Sequence, residues 1–139
     1  MTTKTENEIG LALPFAQAVE RTRTALQAEG FGVLTTIDMQ AAFREKLAAD
    51  FRPYVIMGAC NPPLAYKALT ASAEVGLMLP CNVTVEEEAP GRSVVRFARP
   101  TRLLGADPTE YPPAVHQVAS DAEARLARVA DALRQVEAQ

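Results

Sequence analysis

The chain has 139 residues, 48% of them hydrophobic and 22% charged, with a formal net charge of −3 and a pI near 5.2. This length suits one domain that buries roughly two-thirds of its unfolded surface, and the composition excludes a disordered or membrane-embedded chain. No apolar run approaches the ~20 residues of a spanning helix, and an acidic protein has no field to gather phosphates, so neither a membrane nor nucleic acid is an expected partner.

The polar start "MTTKTENEIG" has no apolar signal core, which predicts a cytoplasmic protein whose two cysteines are thiols at rest. Residues 1–7 are expected to fray, and "EIGLAL" makes a short first strand. Pro14 suits a first helical turn, followed by Phe15, Ala18, Val19, Thr22, Ala25 and Leu26 at helical spacing, with Gly30 as the stop. In "FGVLTTID" the alternation of Phe31, Val33, Thr35 and Ile37 predicts a strand with one face buried. Asp38 fits as N-cap of a second helix with an inner stripe of Met39, Ala42, Phe43 and Leu47.

"PYVIMGAC" has the character of a buried strand, after which Asn61 serves as N-cap, Pro62 takes the first helical position, and Leu64, Ala68 and Leu69 form the inner face of a third helix. "VGLMLPCNVTVEE" is expected to be one extended stretch, with Pro80 at an edge or a bulge because it cannot donate to a ladder. Pro90-Gly91 marks a hairpin turn, and opposing Val85 to Val95 and Val83 to Phe97 gives both strands one apolar face. Thr84, Glu86 and Arg96 then face the other way. Pro112 and Pro113 open a last helix whose Val115, Ala119, Ala122, Leu126, Val129, Leu133 and Val136 recur at spacings of four and three. Such a stripe packs either on the protein's own sheet and helices or on a second subunit.

These elements predict an α+β fold: a two-layer single domain with a mixed sheet of about five strands packed against helices, in the order β-α-β-α-β-α-β-β-α. Its parts are a frayed 1–7, an α+β domain over 8–104, and a connector with an amphipathic helix over 105–139.

Two cysteines are the candidates for chemistry. Cys60 stands at the mouth of the helix begun by Asn61 and Pro62, where the macrodipole favours a thiolate, but Pro62 and Pro63 remove two amide donors. The competing role is a small buried hydrophobe at the strand-to-helix corner. Cys81 lies beside Pro80, and whether the two sulfurs meet is open. Neither C-x-x-C nor metal-ligand spacing is present, so no metal and no cofactor are expected. Glu86, Glu87 and Glu88 suit a solvated hairpin end, Arg92, Arg96, Arg99 and Arg102 suit partners for carboxylates, and His116 suits a surface position.

The blocks "GFGVLTTIDMQAAF", "MGACNPPLAYKAL" and "VGLMLPCNVTV" resemble the bacterial and archaeal family called domain of unknown function 302, over residues 8 to 104. Its recognisable positions match Asp38, Cys60, Asn61, Pro62, Leu79, Pro80 and Cys81. The resemblance implies a compact α+β domain and a homodimer, and no established activity. Two functions follow as expectations. One is a binding or interaction module, holding a small apolar ligand between sheet and helices, with Asp38, Asn61, Pro62 and Pro80 as binding positions. The other is a thiol-based redox or sulfur-handling protein using Cys60 with Cys81. Whether the chain is an enzyme stays open at this point.

Overall fold

The computed structural model describes residues 3–5, 7–105 and 107–138. In chain order the elements are β1 (Thr3–Thr5), β2 (Glu8–Leu11), α1 (Phe15–Ala28), β3 (Gly32–Asp38), α2 (Met39–Leu47), β4 (Tyr54–Cys60) and α3 (Pro62–Ala71). A 3₁₀ turn (Ala73–Met78), β5 (Cys81–Ala89), β6 (Arg92–Phe97), α4 (Pro100–Leu103) and α5 (Pro113–Ala138) complete it.

The local signals act as the chemistry requires. Asp38 accepts a hydrogen bond from the Ala41 amide at 2.9 Å, and Asn61 accepts one from the Leu64 amide at 3.3 Å, each satisfying a donor that its helix leaves open. Gly30 ends the exit from α1 at φ +85°, a left-handed conformation that costs glycine little. "VGLM", expected to be extended, is instead inside the 3₁₀ turn, where Val75 plugs into the helical layer beside Ala68 and Leu104. Pro80 stands just outside β5, after a cis Leu79-Pro80 bond, so it never has to donate to the ladder.

The sheet order is β1-β2-β6-β5-β4-β3, and every neighbouring pair is antiparallel, not mixed. α2, and α3 with the 3₁₀ turn, return the chain at the end it left, whereas α1 crosses from one end of the sheet to the other, because β2 and β3 run in the same direction. The β5–β6 register opposes Val85 to Val95 and Val83 to Phe97, as the apolar alternation requires. Thr3–Thr5, expected to fray, pairs with β2 and adds a sixth strand.

One face of the sheet packs under α1 and α5. Ile9, Leu11, Met57, Val83, Val85 and Val95 meet Leu26, Leu126, Val129 and Leu133 in a single core. The stripe of α5 is thus buried within the subunit, and the seam is not left over for a partner. A satellite core of Ala68, Val75, Leu104, Val115 and Ala119 joins α3, the 3₁₀ turn, α4 and α5.

At the other end of the sheet the expected burial fails. Phe31, just before β3, is fully enclosed, but no residue of β3 itself is buried; Thr35 is exposed and Ile37 is 49% exposed. No residue of α2 is buried, and Leu47, expected on an inner stripe, is 69% exposed. β3 is the terminal strand, so alternation without a layer over it leaves apolar side chains in the open. Leu69 of α3 is likewise 43% exposed. Among the described residues, no helix is long and apolar enough to cross a membrane.

Candidate functional site

Five of the six candidate residues meet at one corner. β4 ends at Cys60 and β5 begins at Cys81, with Cys81 directly opposite Ala59 in the ladder, so the two cysteines stand close on adjacent strands, offset by one position. Both line a cavity of about 40 Å³ together with Phe31, Asn61, Leu64 and Pro80. Asp38 stands apart: Gly32 opposes Cys60 and Asp38 opposes Val55, which puts six residues, about 20 Å of strand, between them. Its carboxylate caps α2 and takes no part in the corner.

The corner is held by backbone and polar contacts that are specific to it. The buried Asn61 receives the Leu64 amide and also donates through Nδ2 to the Glu29 carbonyl at 3.3 Å, tying the end of α1 to the start of α3. Arg125 of α5 reaches the same carbonyl at 3.3 Å. Pro80 lies over Gly58 so closely that a β-carbon there would come within 2.6 Å of its ring and 2.5 Å of the Thr35 hydroxyl. Gly58 therefore belongs to the site, although in the sequence it looks like one more small residue in an apolar strand.

The electrostatics favour thiols over thiolates. Cys60 is half-buried, and burial raises its pKa. Cys81 is pushed up to about 11, first by burial and then by the neighbouring Cys60. The helix terminus does not reverse this, because Pro62 and Pro63 carry no N–H and the Leu64 amide is already committed to Asn61. Among the described residues there is no group of three or more His, Cys, Asp or Glu placed to hold a metal ion. The corner cavity, and a second one of about 50 Å³ lined by Val75, Met78, Leu79, Leu104 and Val115, are far below the ~300–1,000 Å³ of an organic ligand pocket. The apolar ligand expected between sheet and helices has no space of that size in these two chambers.

Charged residues form a second cluster, on the sheet face away from the core. Glu86, expected in a solvated hairpin end, is 6% exposed and accepts hydrogen bonds from Arg52, at 2.5 Å, and Arg96. Arg96 also pairs with Glu8, which carries the network from β4's approach across β5 and β6 to β2. Burial pushes the Glu86 carboxyl up, but the two arginines outweigh it and hold it below its ordinary value. The Thr84, Glu86, Arg96 face was readable from strand period; its enclosure was not, because Arg52 arrives from 34 positions away. Arg99 pairs with Glu123 at 3.5 Å. His116, expected at the surface, is half-buried against the Tyr111 ring with centroids 6.3 Å apart, and its Nε2 is enclosed with no hydrogen-bond partner among the described residues.

No curated protein matches the chain. A solved structure is similar: the crystal structure of an uncharacterized conserved DUF302 protein from Bacillus stearothermophilus, 34% identical, with a TM-score of 0.79 over 91% of this chain and 96% of that one. The model of the family described as Domain of unknown function DUF302 matches residues 7–133. The match takes in most of α5, which was expected to lie beyond the family region; the helix completes the core in which β2, β5 and β6 are buried. The chain belongs to the DUF302 family.

Proposed function

We propose that this protein is an interaction module that acts as a homodimer through the β3 edge and the adjoining α2. The observation that carries this reading is the concentration of open apolar side chains there: Leu34 at 67% exposure, Ile37 at 49% and Leu47 at 69%. Terminal strands are ordinarily protected by lysine, proline or inward charge, and β3 has none of these before Asp38. A bulge between Val33 and Thr35 pushes Leu34 out of the ladder, which interrupts the row of backbone groups and leaves side-chain packing as the means of contact.

The alternative, thiol chemistry at Cys60 and Cys81, is less favoured because burial raises both pKa values. Light scattering at micromolar concentration tests the dimer. The wild type should run at twice the chain mass, and Ile37→Lys with Leu47→Lys should run as a monomer with an unchanged circular dichroism spectrum. A monomeric wild type overturns the reading, and a lysine variant that stays dimeric removes β3 and α2 as its surface.

A further inference from the structure

Where α3 and α5 diverge, on the helical side of the molecule, the structure leaves a cleft of about 480 Å³, roughly ten times the size of the two chambers beneath it. This volume falls within the range of small-molecule sites. The buried Leu64 and half-buried Ala71 and Val118 supply an apolar base, while Lys67, Thr70 and Gln117 stand exposed around it. Tyr66, 75% exposed, adds an aromatic ring at the rim.

The charges around this cleft do not cancel. Asp121, on the α5 side, is already engaged by Arg125 at 2.8 Å, one turn further along the same helix. Lys67 makes no hydrogen bond or ion pair among the described residues. One cation is thus left without a counter-charge beside an apolar base and two uncharged hydrogen-bonding side chains.

We propose that the α3–α5 cleft binds a small organic carboxylate with an apolar body, its anionic head on Lys67 and its tail against Leu64, Ala71 and Val118. An anionic head fits because the unpaired charge is positive; an apolar tail fits because the base offers no polar side chain. A cationic head would meet Lys67 directly. The cleft lies on the helical layer, so this site goes beyond the dimer proposed at β3 and does not depend on it.

Octanoate is the probe, followed by ¹H–¹⁵N NMR of the full-length protein, with octan-1-ol and octylamine as neutral and cationic counterparts of equal tail. Octanoate should shift the amides of Tyr66, Ala71 and Val118 in a saturable way and bind more tightly than either counterpart. Lys67→Met should weaken it by about five-fold, the effect of one partly screened charge, and Lys67→Arg should retain it. Lys67 is exposed, so neither variant threatens the fold. Equal affinity for octan-1-ol, an unchanged affinity in Lys67→Met, or shifts confined to β3 and α2 would each overturn the assignment. A monomeric protein that still binds octanoate would separate this site from the proposed dimer.

Discussion

Glu86 shows how a single carboxylate is made dependent on its surroundings. Its side chain is 8% exposed and is bridged by Arg52 and Arg96, which are themselves 50% and 38% exposed. Removing the charge while keeping the shape, with Glu86→Gln, should cost about 2 kcal/mol, below the 3–5 of a fully buried pair because both arginines can rehydrate. The folded carboxyl titrates below its ordinary value. Its contribution is therefore complete above the unfolded pKa of ~4.3, declines as pH falls below that, and is gone beneath the folded pKa. Urea melts of wild type and variant should converge as pH drops from about 5 to 3; a gap that stays constant over that range would show that the network does not set the difference. The thiols call for a separate measurement. With Cys81 pushed up to about 11 and Cys60 also raised, iodoacetamide should label both slowly at neutral pH. Cys81→Ser should cost about 1–3 kcal/mol, because it encloses a hydroxyl with no assured partner. Fast labelling of Cys60 in the native protein would revive the thiol chemistry.

Among the elements, α5 has the most to lose. Its apolar stripe was legible residue by residue, yet periodicity is the same for a helix that covers its own sheet and one that waits for another subunit. Packing decides it: Val115, Leu126, Val129 and Leu133 are all at most 3% exposed within one chain. At ~1.5–3 kcal/mol for each of these four large side chains, their burial is worth about 6–12 kcal/mol, comparable to the whole stability of a typical domain. Deleting residues 113–139 should therefore abolish cooperative thermal unfolding, not merely dissociate a dimer. A truncated protein that melts sharply, seen by circular dichroism, would contradict this assignment. β3 is the converse case. Its alternation is a true strand signal, but alternation says only which side chains share a face and nothing of whether a layer lies over that face.

For the molecule as a whole, the caps and the hairpin were legible locally, while the 3₁₀ turn at "VGLM" and the strand at Thr3–Thr5 were not. The caps at Asp38 and Asn61 depend on residues three positions away, and the Val85–Val95 register depends on one turn. The corner of Cys60, Asn61, Pro80 and Cys81 was marked by residue type, whereas the meeting of the two strands and the closeness of Pro80 to Gly58 follow from tertiary pairing. The antiparallel order, the enclosure of Glu86 and the open end at β3 all depend on distant segments, so composition and period carried no trace of them. The most distant of these pairings also governs how the chain can assemble. β2 is hydrogen-bonded to β6, and Glu8 meets Arg96 across 88 positions of sequence. During synthesis Ile9 and Leu11 emerge well before Val95 and Ser93 of β6, the residues opposite them in the ladder. The β5–β6 hairpin closes a short loop and is available early, whereas docking β2 on it carries the entropy of a loop most of the chain in length. Synthesis thus leaves the first strand of the core as a waiting edge, and native topology is completed only after the sixth strand has been translated.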